Sequence, residues 1–205
     1  MYKIIFILFV GFLFIPTAYA ETYGSDITTG ATPSCHYALG SPYTASGIND
    51  DNNSTRWASS NGSPSQEYCS LDTADDNGFD IAKMTIHTYS DVNGQGFKDW
   101  ELTGSNDNFT STTTISQGTA INVGDGTTQT FTFTGAGENF RYFRLYMPNT
   151  YSNSRASFYE IQLMECTDCA STSTTTTDLT NIELVIGLFI FLELFTIIMY
   201  SLKKK

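Results

Sequence analysis

Positive charge is scarce in this chain. Between its two ends, residues 21–181 hold six basic side chains (Arg56, Lys83, Lys98, Arg141, Arg144 and Arg155) against nineteen acids. Cations so few and so scattered cannot follow a phosphate backbone, which excludes nucleic acid as a partner. Anionic lipid gains nothing from such a surface, whereas a neutral ligand or a cation suits it. Histidine is equally short, with only His36 and His87. The chain has no G-x-S-x-G, no H-E-x-x-H and no Gly-rich phosphate loop between a strand and a helix. Asp72, Asp75 and Asp76 could suggest paired carboxylates, but Asn77-Gly78 directly after them makes the stretch read as a turn. The sequence therefore does not read as an enzyme.

Cysteine is limited to Cys35, Cys69, Cys166 and Cys169. In an exported chain these are expected to be oxidised, and four cysteines allow three pairings. Cys35 and Cys166 bracket the patterned part of the sequence, so a staple between them is the favoured pairing, with Cys69 and Cys169 left unassigned. Cys166-Thr-Asp-Cys169 has no second C-x-x-C to complete a zinc site, and a redox role is equally weak.

Export is written at the N-terminus. Residues 1–20 combine Lys3, an apolar run from Ile4 to Ile15 and the small-residue exit Ala18-Tyr19-Ala20, which is the pattern of a secretory signal peptide. A second apolar run covers 182–202 and is followed by the basic tail Lys203-Lys204-Lys205. At about 1.5 Å per helical residue, some 20 residues cross a hydrocarbon core of about 30 Å. The expectation is a single transmembrane helix with a cytoplasmic 203–205 tail and the N-terminus outside, on a cell surface or envelope; a cleaved lipid-anchor signal is the rival. Glu193, inside that run, is costly in lipid and points to self-association of the helix, or else to an acid that stays neutral.

Between the ends, three segments differ in composition. Residues 21–34 form a Thr/Gly-rich leader expected to be loose, and 167–181 form a Ser/Thr-rich stalk that cannot build a core. Residues 35–166 alternate apolar and polar positions, with turn signals every ten or so residues. Cys69 and Leu71 face one way, as do Met84 and Ile86, Trp100 and Leu102, Phe131 and Phe133, and Phe143 and Leu145. Tyr159, Ile161 and Leu163 are expected inward, with Glu160 on the other side. No convincing helical period occurs there, so the fold class is all-β, a β-sandwich.

The stretch 47–57 reads Gly-Ile-Asn-Asp-Asp-Asn-Asn-Ser-Thr-Arg-Trp. Calcium takes six to eight oxygens from carboxylates, hydroxyls and main-chain carbonyls, all of which this turn contains. It lacks the Gly and Glu positions of an EF-hand, and composition alone reads it as an Asx/Ser turn that needs no metal.

That stretch resembles the A-x-D-G-N-x-x-T-x-W signature of the discoidin, or coagulation-factor C-type, domain family. Tyr68-Cys69-Ser70-Leu71-Asp72 is similar to its W-I-x-V-D, and 100–107 (Trp-Glu-Leu-Thr-Gly-Ser-Asn-Asp) to its W-x-L-x-G-S-N-D. The stretch 140–145 (Phe-Arg-Tyr-Phe-Arg-Leu) and the pair Glu160-Ile161 resemble its closing motifs. The resemblance spans 35–166 and implies a galactose-binding-like jelly roll, similar to carbohydrate-binding module family 32. It implies a structural calcium ion held by the Asp50, Thr55 and Glu160 side chains and the Gly47, Asn52 and Tyr159 carbonyls. Asp51 stands where the family usually has Gly, which adds charge and strain. The family's frequent link between first and last strands agrees with Cys35–Cys166.

Ligand recognition in this family comes from loops at one end of the sandwich, here 39–43, 59–66, 89–97 and 148–155. A sugar needs an aromatic face and planar polar groups, and the available residues are His87, Tyr43, Phe97, Tyr151, Asn153 and Arg155. The expected function is a membrane-anchored surface recognition or adhesion protein that binds a glycan or glycoprotein. The rival is a structural or assembly protein of a virion or cell envelope, whose domain contacts another protein.

Overall fold

The computed structural model describes residues 22–60, 67–89, 95–151 and 155–167. The signal segment, residues 168–181 of the stalk, the 182–202 run with Glu193 and the basic tail lie outside them. Among the described residues, no helix is long and apolar enough to cross a membrane.

The described residues form ten strands: β1 (Tyr23–Asp26), β2 (Thr32–Cys35), β3 (Trp57–Ala58), β4 (Glu67–Asp72), β5 (Ile81–Thr88), β6 (Asp99–Ser105), β7 (Thr113–Thr119), β8 (Thr128–Thr132), β9 (Tyr142–Met147) and β10 (Ser157–Cys166). A 3-10 turn covers Ala45–Ile48. One sheet runs β1-β10-β5-β8, with β3 also paired to β10; the other runs β2-β4-β9-β6-β7. Every pairing is antiparallel. This is the all-β sandwich that the alternation predicts.

Period two explains the layering. Met84 and Ile86 of β5, Trp100 and Leu102 of β6, and Phe143 and Leu145 of β9 are buried between the sheets, while Lys83, His87, Glu101 and Arg144 lie on outer faces and are only partly covered. Each fully buried large side chain contributes about 1.5–3 kcal/mol. Trp57 and Phe158 pack ring to ring at 5.7 Å and join β3 to this core. Gly104 is required by packing, because a Cβ there would stand 2.3 Å from the Phe140 ring.

Three expectations are corrected. The leader is not loose, since β1 and β2 both come from it and β1 pairs with the end of β10 through Tyr23↔Cys166. Cys35 is bonded to Cys69, not to Cys166. The reason is topological: Cys35 and Cys69 are register partners on neighbouring strands with Cα atoms 4.1 Å apart, whereas Cys166 ends β10 in the other sheet. Cys166 is itself disulfide-bonded. Tyr159, expected inward, is half-buried, because β10 carries a bulge between Phe158 and Glu160. Two residues there face one on β5, so Phe158 takes the inward place instead.

The register also sorts the loops. Glu67↔Met147, Asp99↔Thr119 and Phe158↔Thr88 are all pairs at strand ends. The described residues 36–56, 59–60, 89, 95–98, 120–127, 148–151 and 155–156 therefore lie at one pole of the sandwich.

Candidate functional site

The turn 49–56 is clamped at both ends. Asn49 Nδ2 donates to the carbonyls of Thr28 and Ala31, each at 2.9 Å, and Trp57 is fully buried. Gly47 lets the two ends close, because a Cβ there would stand 3.0 Å from the Arg56 backbone nitrogen. Between the clamps, oxygens converge. Thr55 Oγ1 lies 2.7 Å from Asp50 Oδ2 and 2.8 Å from the Asn52 carbonyl. The Asn52 N–H donates to Asp50 Oδ1 and to Glu160 Oε1, both at 3.1 Å.

Glu160 reaches this turn from β10. Along that edge, β3 pairs only with Ser157 and Phe158, and β1 pairs only from Met164 onward. The turn fills the gap beside Glu160. The bulge makes Tyr159 the extra residue, which leaves it out of the regular ladder to β5.

The electrostatics of the pair are unusual. Burial pushes the Glu160 carboxyl up to about 8, helped by its hydrogen bond with Asp50 and by the Asp50 and Asp51 charges. Burial alone raises Asp50 too, but hydrogen bonds with Glu160, Thr55 and Asn52 outweigh it and hold Asp50 below the ordinary value. Glu160 therefore keeps its proton at neutral pH beside an ionised Asp50. No group of three or more His, Cys, Asp and Glu side chains that could hold a metal occurs among the described residues. The turn and Glu160 of β10 bring together two carboxylates, the Thr55 hydroxyl and the Asn52 carbonyl, an all-oxygen set of the kind calcium takes and zinc does not.

Beside the turn lies a cleft of ≈ 180 Å³ lined by Asp51, Asn53, Thr85, His87, Thr128, Glu160 and Gln162. His87 Nδ1 and Thr128 Oγ1 are 3.1 Å apart across β5 and β8. Towards the loop pole an aromatic group continues from His87: Tyr159 at 5.3 Å, then Tyr89 edge-on to Tyr159 at 5.6 Å. The Arg56 guanidinium lies 3.3 Å from the Tyr89 ring centroid and 4.7 Å from that of Tyr43. Tyr37 (57 % exposed) and Leu39 stand out on the neighbouring loop.

The structure brings together Asp50, Asn52, Thr55 and Glu160, with Gly47 closing the turn, and it places His87 and Tyr43 at either end of the aromatic group. Phe97 is a correction: it is 2 % exposed and packs against Phe158, so it belongs to the core and cannot face a ligand. Its bridge to Thr150 pulls the loop inward. Tyr151 ties loops together, with its hydroxyl donating to the Ala120 carbonyl and its N–H to that of Gly96. Arg155 is half-buried, and Asn153 lies outside the described residues.

A model of the F5/8 type C domain matches residues 29–161. The chain belongs to the F5/8 type C domain family. Solved structures agree on the fold. The module CpGH89CBM32-5 of Clostridium perfringens, in complex with GalNAc-β-1,3-galactose, superposes with a TM-score of 0.57 at 18% identity, over 68% of this chain and 99% of that one. The family 32 module of NanJ from the same organism, in complex with galactose, gives 0.56 at 18% identity over 69% and 98%. The F5/8 type C domain of a Bacteroides fragilis protein gives 0.58 at 16% identity over 70% and 97%. No curated protein matches the chain.

In this F5/8 type C domain, sequence reasoning missed Arg56, Tyr89 and the Tyr159 ring. Arg56 had a readable signal, since it directly precedes the core-anchoring Trp57 and so must face away from the core. Tyr159 had none, because its orientation depends on a bulge that the alternation hides.

Proposed function

We propose that this F5/8 type C domain is a non-catalytic glycan-binding module, that its loop pole receives the sugar, and that a calcium ion stiffens the turn beside it. The observation that carries the reading is the stacked arrangement of Tyr43, Arg56 and Tyr89 at the loop pole. Aromatic faces cover the apolar side of a sugar ring, while guanidinium and imidazole edges hydrogen-bond its hydroxyls. The solved family 32 modules with galactose and GalNAc-β-1,3-galactose support a sugar as the ligand class.

Asp50, Thr55 and Glu160 side chains, with the Gly47, Asn52 and Tyr159 carbonyls, would hold the ion. Bound there it would neutralise the carboxylate pair and tie the turn to β10. With residues 1–20 as signal and 182–202 as anchor, the module would be displayed on a cell surface or envelope, and Glu193 would favour lateral self-association.

A glycan array probed with the full chain, with and without chelator, tests the reading. Binding of galactose-type glycans that Arg56→Ala and Tyr89→Ala abolish is the expected result. Binding of no glycan in either condition overturns it in favour of an envelope-assembly role.

A further inference from the structure

The outer face of the β2-β4-β9-β6-β7 sheet is remote from the acidic turn, and its side chains form rows across the strands. One row is Tyr68 on β4, Tyr146 on β9, Glu101 on β6 and Gln117 on β7, each directly opposite the next. The row below runs from Ser70 through Arg144 and Thr103 to Thr114. Two hollows lie over these rows. The first, ≈ 420 Å³, has Tyr68, Glu101, Arg144 and Tyr146 in its lining. The second, ≈ 400 Å³, is lined in part by Asp99, Gln117, Glu101 and Tyr146. Glu101 and Tyr146 border both, so the hollows form one groove across four strands. Adjacent strands are about 4.8 Å apart, so the row is about 14 Å long, which is the span of a short sugar chain rather than a single ring.

The groove is built rather than incidental. The Arg144 guanidinium lies 4.3 Å from the Tyr68 ring and 3.7 Å from the Phe109 ring, with Nε donating to Ser70 Oγ at 3.1 Å. Tyr68 in turn stacks on His36 with 3° between the ring planes. Glu101 accepts from Thr114 Oγ1 at 2.6 Å, and Asp99 from Asn149 and Thr119. These contacts fix the polar groups in advance, which lowers the entropic cost of binding.

Its chemistry selects an occupant. Among the lining groups Arg144 stands against Glu101 and Asp99, so the groove carries a small negative excess in a chain of formal net charge −11. That disfavours an anionic ligand. Tyr37, the exposed ring beside His36 at 3.7 Å, extends the aromatic surface at the β4 end of the face. Aromatic rings set among fixed donors and acceptors suit a neutral polyhydroxyl chain.

From this we infer that the sheet face binds a neutral linear oligosaccharide lengthwise across β4, β9, β6 and β7, as a second glycan site separate from the loop pole. It does not depend on the loop-pole reading, because the two sites share no side chain named for either.

Calorimetric titration of the full chain with cello-, xylo-, manno- and laminari-oligosaccharides, from disaccharide to hexasaccharide, tests it. The expected result is an affinity that rises with chain length for at least one series. Tyr146→Ala and Tyr68→Ala should each weaken the hexasaccharide about tenfold, as loss of a stacking ring does. Glu101→Gln should weaken it without lowering the melting temperature, and Tyr146→Phe should retain most of the affinity, which guards against a folding defect. Tyr89→Ala, at the loop pole, should change nothing. Length-independent binding, sensitivity to Tyr89→Ala but not Tyr146→Ala, or no binding by any series would overturn it. Dimerisation abolished by Tyr146→Ala would also overturn it, by making the face a contact between copies.

Discussion

The backbone N–H of Asn52 donates to Glu160 Oε1 at 3.1 Å across 108 positions of chain. This bond joins an early turn to the last strand, and it leaves the Glu160 carboxyl beside that of Asp50. A proton or a cation must reconcile the two.

The proton makes stability depend on pH. The folded Glu160 titrates at about 8 against an ordinary 4.5, so between those values the folded chain keeps a proton that the unfolded chain releases. Its contribution is complete below pH 4.5 and is lost as pH rises through about 8. Without calcium, the melting temperature should fall across that window. Asp50 acts in the opposite sense and loses its contribution under more acid conditions.

Calcium should reverse the trend. A ligand at a hundred times its dissociation constant stabilises by about 2.7 kcal/mol, so calcium should raise the melting temperature by several degrees near pH 8, and chelator should cancel the rise. Glu160→Gln mimics the protonated acid. It should flatten the pH profile of the metal-free protein and remove most of the calcium response. A wild-type melting point indifferent to calcium would sink the site.

Asp51 has φ +55°, a left-handed conformation that glycine adopts without penalty. Asp51→Gly should relieve about 1 kcal/mol of backbone strain and remove a charge that helps to raise Glu160. Denaturant melts of the metal-free protein should show higher stability and a shallower fall towards pH 8. Lower stability would mean that the Asp51 side chain contributes more than its backbone costs.

The Cys35–Cys69 bond closes a sequence separation of 34 residues. Replacing both by Ser should cost about 3–4 kcal/mol in the chain-entropy account of a loop of that size. Peptide mapping under non-reducing conditions should join Cys35 to Cys69; a Cys35–Cys166 peptide would contradict the strand order.

Much of this was legible from alternation and motif. The inward faces of β4, β5, β6 and β9 follow directly from Leu71, Met84, Leu102 and Phe143. The turn could be read because its residues are consecutive, and Glu160 because a short motif marks it. What escaped was non-local. Which strand neighbours Cys35 is a matter of sheet order, which no spacing encodes. The bulge at Tyr159 adds one residue and so puts Phe158 inward in its place. Phe97 looks like a loop tip by position, yet its bridge to Thr150 draws it into the core.

The pairing of Tyr23 with Cys166 brings the entry and exit of the domain together at the pole away from the loops. Ten residues of β10 at about 3.3 Å each separate that pole from the start of the strand, roughly 30 Å. Whatever continues beyond Thr167 is thus attached like the stem of a cup whose rim is the loop pole. The loop pole is thus the end of the domain farthest from its point of attachment, and the sheet-face groove lies along its side.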